Sequence, residues 1–301
     1  MRTSWLYIAV VCLTLAAAGS SSGQQKRAGG SQRALSGKEG VYLFLGKEIL
    51  HPERPVNGFV GYNVYRKNAG GEFRKINAQP VSRVNTEREF NSALGPETLS
   101  ELSQYFKLGD PAKVWVYVAA HSDSAGKLGL ALLNKDLLRE IGLLYVDRGV
   151  EPGATYEYAV AKIRQDKTES PREQLGKVVI GSIPSMPRLK LEVISASDTG
   201  IALRISIPRN KTIFGCRIYR KQFGEPFAQA GDNIHAGSGE QDMSTSFVDK
   251  NVPPRGVFYY YVEPFDFVDN AGAPSDTLEV FTYDFNGIST ALDLIAAGSP
   301  G

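Results

Sequence analysis

The sequence predicts a mainly β protein: two antiparallel β-sandwiches in tandem, with an α-helical insertion in the first. Three observations carry this reading. A pair of strand-like blocks is written twice, in the same order. Within each block, side chains alternate in character with a period of two, as they do when alternate residues face a core. The two blocks are also much further apart in the first copy, which places extra residues inside it.

The first block is Gly61-Tyr-Asn-Val-Tyr-Arg-Lys67, matched by Gly215-Cys-Arg-Ile-Tyr-Arg-Lys221. Each runs into a Gly-rich turn, Gly70-Gly71-Glu72-Phe73 in one copy and Gly224-Glu225-Pro226-Phe227 in the other. The second block begins at Tyr145-Val146-Asp147 and is matched by Phe247-Val248-Asp249. Beyond each Asp, Val150, Pro152, Tyr156, Tyr158 and Val160 repeat as Val252, Pro254, Phe258, Tyr260 and Val262. β-branched and aromatic residues fill the blocks, and Gly, Pro and Asp punctuate their ends, the composition of short strands joined by turns.

Taken in chain order, residues 1–18 read as an export signal. Arg2 gives a positive start, Trp5 to Ala17 is almost wholly apolar, and Ala16-Ala17-Ala18 supplies small residues at a cleavage site. That run is short of the roughly 20 residues of a membrane span. Residues 19–37, rich in Gly, Ser and Gln, read as a flexible leader. Domain one covers 38–183 and carries the insertion at about 84–141. There, Gly95-Pro96-Glu97 reads as a helix start, followed by Leu99, Leu102, Tyr105 and Phe106 on one helical face. Asp110-Pro111 reads as a second start. Val114 to Ala120 has strand composition behind a helix signal and stays open between the two. Leu128, Leu132, Leu138 and Ile141 outline a third helix ending at Gly142. Pro184-Ser-Met-Pro187 reads as a short stiff linker. Domain two covers 188–285, and a tail covers 286–301.

Val150-Glu-Pro-Gly-Ala-Thr-Tyr156, with Tyr158 and Val160, resembles the fibronectin type III signature that leads into a strand, and Gly61 to Arg66 resembles an earlier strand of that family. The resemblance spans roughly residues 38–285 apart from the insertion, and it implies fibronectin type III or immunoglobulin-like sandwiches. It also implies that the Tyr156 hydroxyl ties back to the preceding corner. Phe258 stands at the matching place in copy two, so that corner either lacks the bond or draws a substitute from Tyr259 or Tyr260.

Composition limits function. Hydrophobic residues make up 42% and charged residues 22%, enough for packed cores. A net charge of +2, without long like-charge runs, gives no electrostatic case for nucleic acid or an anionic membrane. After signal cleavage only Cys216 remains, so no internal disulfide forms. No G-x-S-x-G, P-loop, H-E-x-x-H or C-x-x-C pattern is present, and His51, His121 and His235 sit in separate regions. The reading is therefore of a non-enzyme with no catalytic residue, no cofactor and no metal. Asp266, Asp269, Asn270 and Asp276 have oxygen ligands for a hard cation, but their spacing fits ordinary turn chemistry better. Arg66-Lys67 and Arg220-Lys221 read as solvated strand ends.

The unusual stretch is Phe258-Tyr-Tyr-Tyr261. If Phe258, Tyr260 and Val262 face inward with Cys216 and Ile218, then Tyr219, Tyr259 and Tyr261 share an outer face. These three tyrosines are the candidate binding surface, weighed against aromatic pairing that only stabilises the sheet. The expected function is that of a secreted, extracellular or periplasmic binding and spacer protein with a protein or cell-surface glycan partner. Two alternatives are an accessory module of a polysaccharide-processing system and an enzyme with a site between insertion and sandwich.

Overall fold

The computed structural model describes residues 33–121, 128, 134–210, 212–236 and 241–282. The expected signal at 1–18 and tail at 286–301 lie outside the described residues, as does Leu132 of the third expected helix. The chain divides into two compact units, the first ending at Ser182 and the second beginning at Ile183.

The first unit contains β1 (Ala34–Gly37), β2 (Gly40–Phe44), β3 (Phe59–Asn68), β4 (Arg74–Lys75), β5 (Leu144–Asp147), β6 (Thr155–Arg164) and β7 (Glu173–Val179). They form two antiparallel sheets, ordered β1-β2-β5 and β4-β3-β6-β7. Tyr62 and Val64 of β3 and Tyr158 and Val160 of β6 turn inward against Val41, Leu43 and Leu50. Burying each such side chain is worth about 1.5–3 kcal/mol. Residues 34–37, expected at the end of a flexible leader, are instead strand β1. Their pairing runs from Ala34–Leu43 to Gly37–Gly40, and Ala34 is buried in the core. Four residues suffice because β2 already supplies the template.

Between β4 and β5 the insertion forms α1 (Glu87–Tyr105), α2 (Lys113–Ala120) and α3 (Lys135–Glu140). The first helix begins eight residues before Gly95, the expected start. Thr86 caps it, its hydroxyl accepting from the Glu89 N–H at 3.2 Å and donating to the Glu89 carboxylate at 2.9 Å. Gly95, at φ 72°, breaks the helical path and Pro96 restarts it, so the expected start is a kink. Val114 to Ala120 is helix. Asp110 accepts from the Ala112 N–H, and Val114 and Val118, one turn apart, are buried while Val116 is exposed.

The second unit contains β8 (Lys190–Ser197), β9 (Gly200–Ile207), β10 (Gly215–Gln222), β11 (Ala228–Gln229), β12 (Ile234–His235), β13 (Met243–Asp249), β14 (Val257–Phe265) and β15 (Leu278–Phe281). One sheet is ordered β13-β9-β8. In the other, β10 pairs with β11 and β12 on one edge and with β14 on the other, and β15 follows β14. Its core joins Ile201, Leu203 and Ile205 to Cys216, Ile218, Phe258, Tyr260 and Val262. Each unit is thus a three-stranded sheet packed on a larger antiparallel sheet, the fibronectin type III and immunoglobulin-like sandwich.

The same polar tie crosses from sheet to sheet in both units. Asp147, at the end of β5, accepts from Arg66 on β3 at 2.8 Å and from the Tyr158 hydroxyl on β6 at 3.0 Å. Its other oxygen accepts the Gly149 N–H at 3.1 Å. Asp249, at the end of β13, accepts from Arg220 on β10 at 2.8 Å and from the Tyr260 hydroxyl on β14 at 3.0 Å. The Asn251 N–H takes its other oxygen at 3.0 Å. Arg66 also donates to the Gly149 carbonyl, and Arg220 to the Asn251 carbonyl. Arg66 and Arg220, expected to be solvated strand ends, are therefore partners of buried carboxylates. A buried carboxylate is tolerated only when its lone pairs are filled, and these strand ends fill them.

The corners differ in a compensated way. Tyr156 accepts the Glu151 N–H at 3.3 Å. In the second unit Phe258 has no hydroxyl, and the residue in the place of Glu151 is Pro253, which has no N–H to satisfy. Tyr260 is not a substitute, because its hydroxyl serves Asp249 as Tyr158 serves Asp147. Arg255 holds φ 57° where Gly153 holds 78°, so the turn geometry persists across the substitution.

Removing either carboxylate leaves an uncompensated arginine and phenol beneath a sheet end. Asp147→Ala and Asp249→Ala should each cost about 3 kcal/mol. Denaturant unfolding followed by hydrogen exchange should localise each loss to the mutated unit. Burial, and then the neighbouring carboxylate, hold the Tyr158 and Tyr260 phenols well above the ordinary tyrosine range. Unfolded phenols titrate near pH 10, about their reference value. The stability these groups contribute is therefore complete below that pH and is lost as pH rises above it. Urea midpoints measured from pH 9 upward should fall, and Tyr158→Phe with Tyr260→Phe should flatten that fall.

Candidate functional site

The outer face of the second unit's larger sheet is built by strand alternation. Phe258, Tyr260 and Val262 of β14 are buried, as are Cys216 and Ile218 of β10. Their neighbours turn outward in directly opposed pairs: Arg217 with Glu263, Tyr219 with Tyr261, and Lys221 with Tyr259. The three tyrosines named from the sequence therefore share one face, each partly exposed.

Tyr219 and Tyr261 stack with ring centroids 4.9 Å apart and planes 17° from parallel. Phe227 meets Tyr261 edge-on at 4.8 Å. The Lys221 ammonium lies 5.0 Å from the Phe227 ring and 5.2 Å from the Tyr259 ring. The Tyr259 hydroxyl donates to Glu279 at 3.0 Å, and that bond raises its pKa. Burial, then Glu263 and Tyr219, raise that of Tyr261. Beyond Lys221 the chain carries Phe223, 75% exposed, with its N–H on the Val257 carbonyl. The result is a ridge of aromatic edges and one cation, able to bury apolar area against a partner and to offer hydroxyls at its rim.

The corresponding face of the first unit is closed. Tyr65 of β3, opposite Ala159 of β6, donates to both carboxylate oxygens of Glu169 at 2.6 Å, and Asn63 donates to the same carboxylate. Burial opposes ionisation of Glu169, but these bonds and the Arg172 charge bring its pKa below the usual value. The Arg172 guanidinium sits 4.0 Å from the Tyr65 ring centroid. Tyr65, Ala159 and Ala161 are buried, with Phe73 packed against them. Where unit one has Ala159 under the turn between β6 and β7, unit two has the partly exposed Tyr261, flanked by Tyr219 and Phe227.

The other sequence candidates disperse. Asp266 is buried, and its oxygens accept from the Val268 and Asn270 N–H groups and the Asn270 side chain. Asp269 turns to Arg217 at 3.2 Å and Asp276 to Arg188 at 3.3 Å. His121 ends α2, stacked on Tyr117 at 4.2 Å. Cys216 is buried, which pushes its thiol up to about 12. Within the insertion, an open depression is lined by Val84, Thr86, Arg88, Glu89 and Glu140, with no residue of the sandwich strands. Thr86 and Glu89 there serve the α1 cap. Among the described residues, no helix is long and apolar enough to cross a membrane.

No protein-family model matches the chain, and neither does any curated protein. Many solved structures are similar, three of which follow. The FN1–FN3 domains of chicken CNTN1 share 15% identity at a TM-score of 0.32, covering 83% of this chain and 64% of that one. The chicken interferon gamma receptor alpha chain shares 9% identity at a TM-score of 0.30, covering 83% and 96%. Astrotactin-2, a vertebrate perforin-like membrane protein, shares 14% at 0.27, covering 39% and 26%. The chain thus spans less than two thirds of the CNTN1 fragment.

The contrast between the two faces has an energetic consequence. Tyr65→Ala removes a buried ring packed on Ala159, Ala161 and Phe73, and should cost about 3 kcal/mol. Tyr261→Ala removes a partly exposed ring from a cross-strand pair, and should cost about 1 kcal/mol. Urea unfolding of both variants separates the cases.

Proposed function

We propose that this chain is a secreted, non-catalytic binding and spacer protein. Its second sandwich engages a protein or cell-surface glycan through the outward face bearing Tyr219, Tyr259 and Tyr261. The observation that carries the reading is the contrast between homologous faces. The first unit covers its tyrosine with Glu169 and Arg172, whereas the second leaves a larger aromatic row open beside the exposed Phe223. Open apolar rows of this kind carry a stability and solubility cost, and binding is the usual function that offsets it. The export reading of residues 1–18 supports placement outside the cell, and the divided fold supports a spacer role.

Polysaccharide binding, as in an accessory module, is the alternative outcome. Sugars stack on exposed ring faces, and here Tyr219 and Tyr261 spend a face on each other, so a protein partner fits better. The test is binding of the labelled full chain to purified polysaccharides and to cell-surface protein fractions, alongside the Tyr219→Ala/Tyr261→Ala variant. Binding should fall at least tenfold in the variant, with an unchanged circular dichroism spectrum. A folded variant that binds like the parent would remove this face from consideration.

A further inference from the structure

Arg83 lies where the first sandwich gives way to its insertion. Its N–H donates to the Leu50 carbonyl at 2.8 Å, and Gly142 closes on the Ser82–Arg83 backbone so tightly that a Cβ there would approach Ser82 to 2.5 Å. The side chain is folded under α2. Its guanidinium carbon stands 4.3 Å from the Trp115 ring centroid, and Trp115 in turn leans on Phe90 at 5.2 Å. The residue is only 5% exposed, and its enclosed Nε has no hydrogen-bond partner.

Arginines elsewhere in this chain that lose water gain a carboxylate, as Arg66 and Arg220 do. Among the described residues, no acidic side chain forms an ion pair with Arg83. The charge that reaches it is the like charge of Arg54, which adds to burial in lowering its pKa. Arg54 is exposed, and its N–H is bonded to the His51 carbonyl at 3.3 Å. His51 accepts the Glu53 N–H on Nδ1 at 3.1 Å, which leaves Nε2 as the donor of the neutral ring. Glu53 acts on His51 and is no ion-pair partner of Arg83. A buried guanidinium without an anion is a strongly unfavourable arrangement, and cation–π contact with Trp115 recovers only part of the lost hydration.

We propose that Arg83, with Arg54 and His51 beside it, forms a binding site for a small oxyanion, a phosphate or carboxylate group. The anion supplies the charge that Arg83 lacks, the exposed Arg54 adds a second positive charge, and the Trp115 ring packs on the guanidinium that receives it. A planar fork of donors suits both ligand types.

Thermal unfolding of the full chain at constant ionic strength tests this, with chloride replaced in one arm by phosphate and in another by acetate. Saturating phosphate or acetate should raise the midpoint by ~3 °C or more relative to chloride. The more effective arm identifies the headgroup. The shift should vanish in Arg83→Met, which keeps an apolar stem on Trp115. Arg54→Gln, at an exposed position, should weaken the anion titration at least threefold with the fold intact. An equal shift in parent and Arg83→Met, no shift with either anion, or an unaltered titration in Arg54→Gln overturns the proposal. So does an Arg83→Met chain that is strongly destabilised in chloride alone, because that guanidinium would already be compensated within the chain.

Discussion

The carboxylate at the end of β5, and its copy at the end of β13, are the constraint around which both sandwiches are organised. Apolar packing alone holds two sheets together without fixing how one is placed over the other. Asp147 and Asp249 remove that freedom, since each belongs to the three-stranded sheet while both of its charged or phenolic partners belong to the opposite one. Such a group is costly if any of its partners moves, so it selects a single register among the packings that apolar area would tolerate. The inward Tyr158 and Tyr260 are then bound at both ends, ring in the core and hydroxyl on the carboxylate.

With the inner faces held alike, the outer faces are free to differ. One unit uses the turn after β6 to lay Glu169 and Arg172 over Tyr65, and needs small residues, Ala159 and Ala161, beneath that cover. The other places Tyr261 where its relative has alanine, its ring packed beside Tyr219 and Phe227. Closing a face and presenting one are thus alternative uses of the same pair of strands. The insertion is another such difference. Its described residues form three helices with their own buried residues, Phe90, Val114 and Val118 among them, outside the sandwich core.

Much of this was legible in the repeat. Alternation in the blocks placed Phe258, Tyr260, Val262, Cys216 and Ile218 inside and Tyr219, Tyr259 and Tyr261 outside, because a strand's period is set by its own backbone. Every member of both polar ties also lies in the duplicated blocks, yet Arg66 and Arg220 read as solvated. Their partners are remote in sequence and reach them only once two sheets have met. The cover over Tyr65 was hidden for the same reason. Other misreadings were local. The Thr86…Glu89 cap was present, but Gly95-Pro96 is also a good helix start, and the chain uses it as a kink. Ala34 to Gly37 is too short to announce a strand until β2 lies beside it. Val114 to Val118 alternates like a strand, and it is the Asp110 turn before it that commits it to a helix.

The central claim is that the sheets are fastened by coupled polar groups rather than by apolar area alone. A double-mutant cycle on Arg220 and Asp249, using Arg220→Met and Asp249→Leu and monitored by urea unfolding of the second unit's tyrosines, measures that coupling directly. The two changes together should cost far less than the sum of each alone, giving an interaction energy of about 2 kcal/mol. Losses that simply add, within about 0.5 kcal/mol, would mean that the pair is incidental and that the core alone sets how the sheets meet.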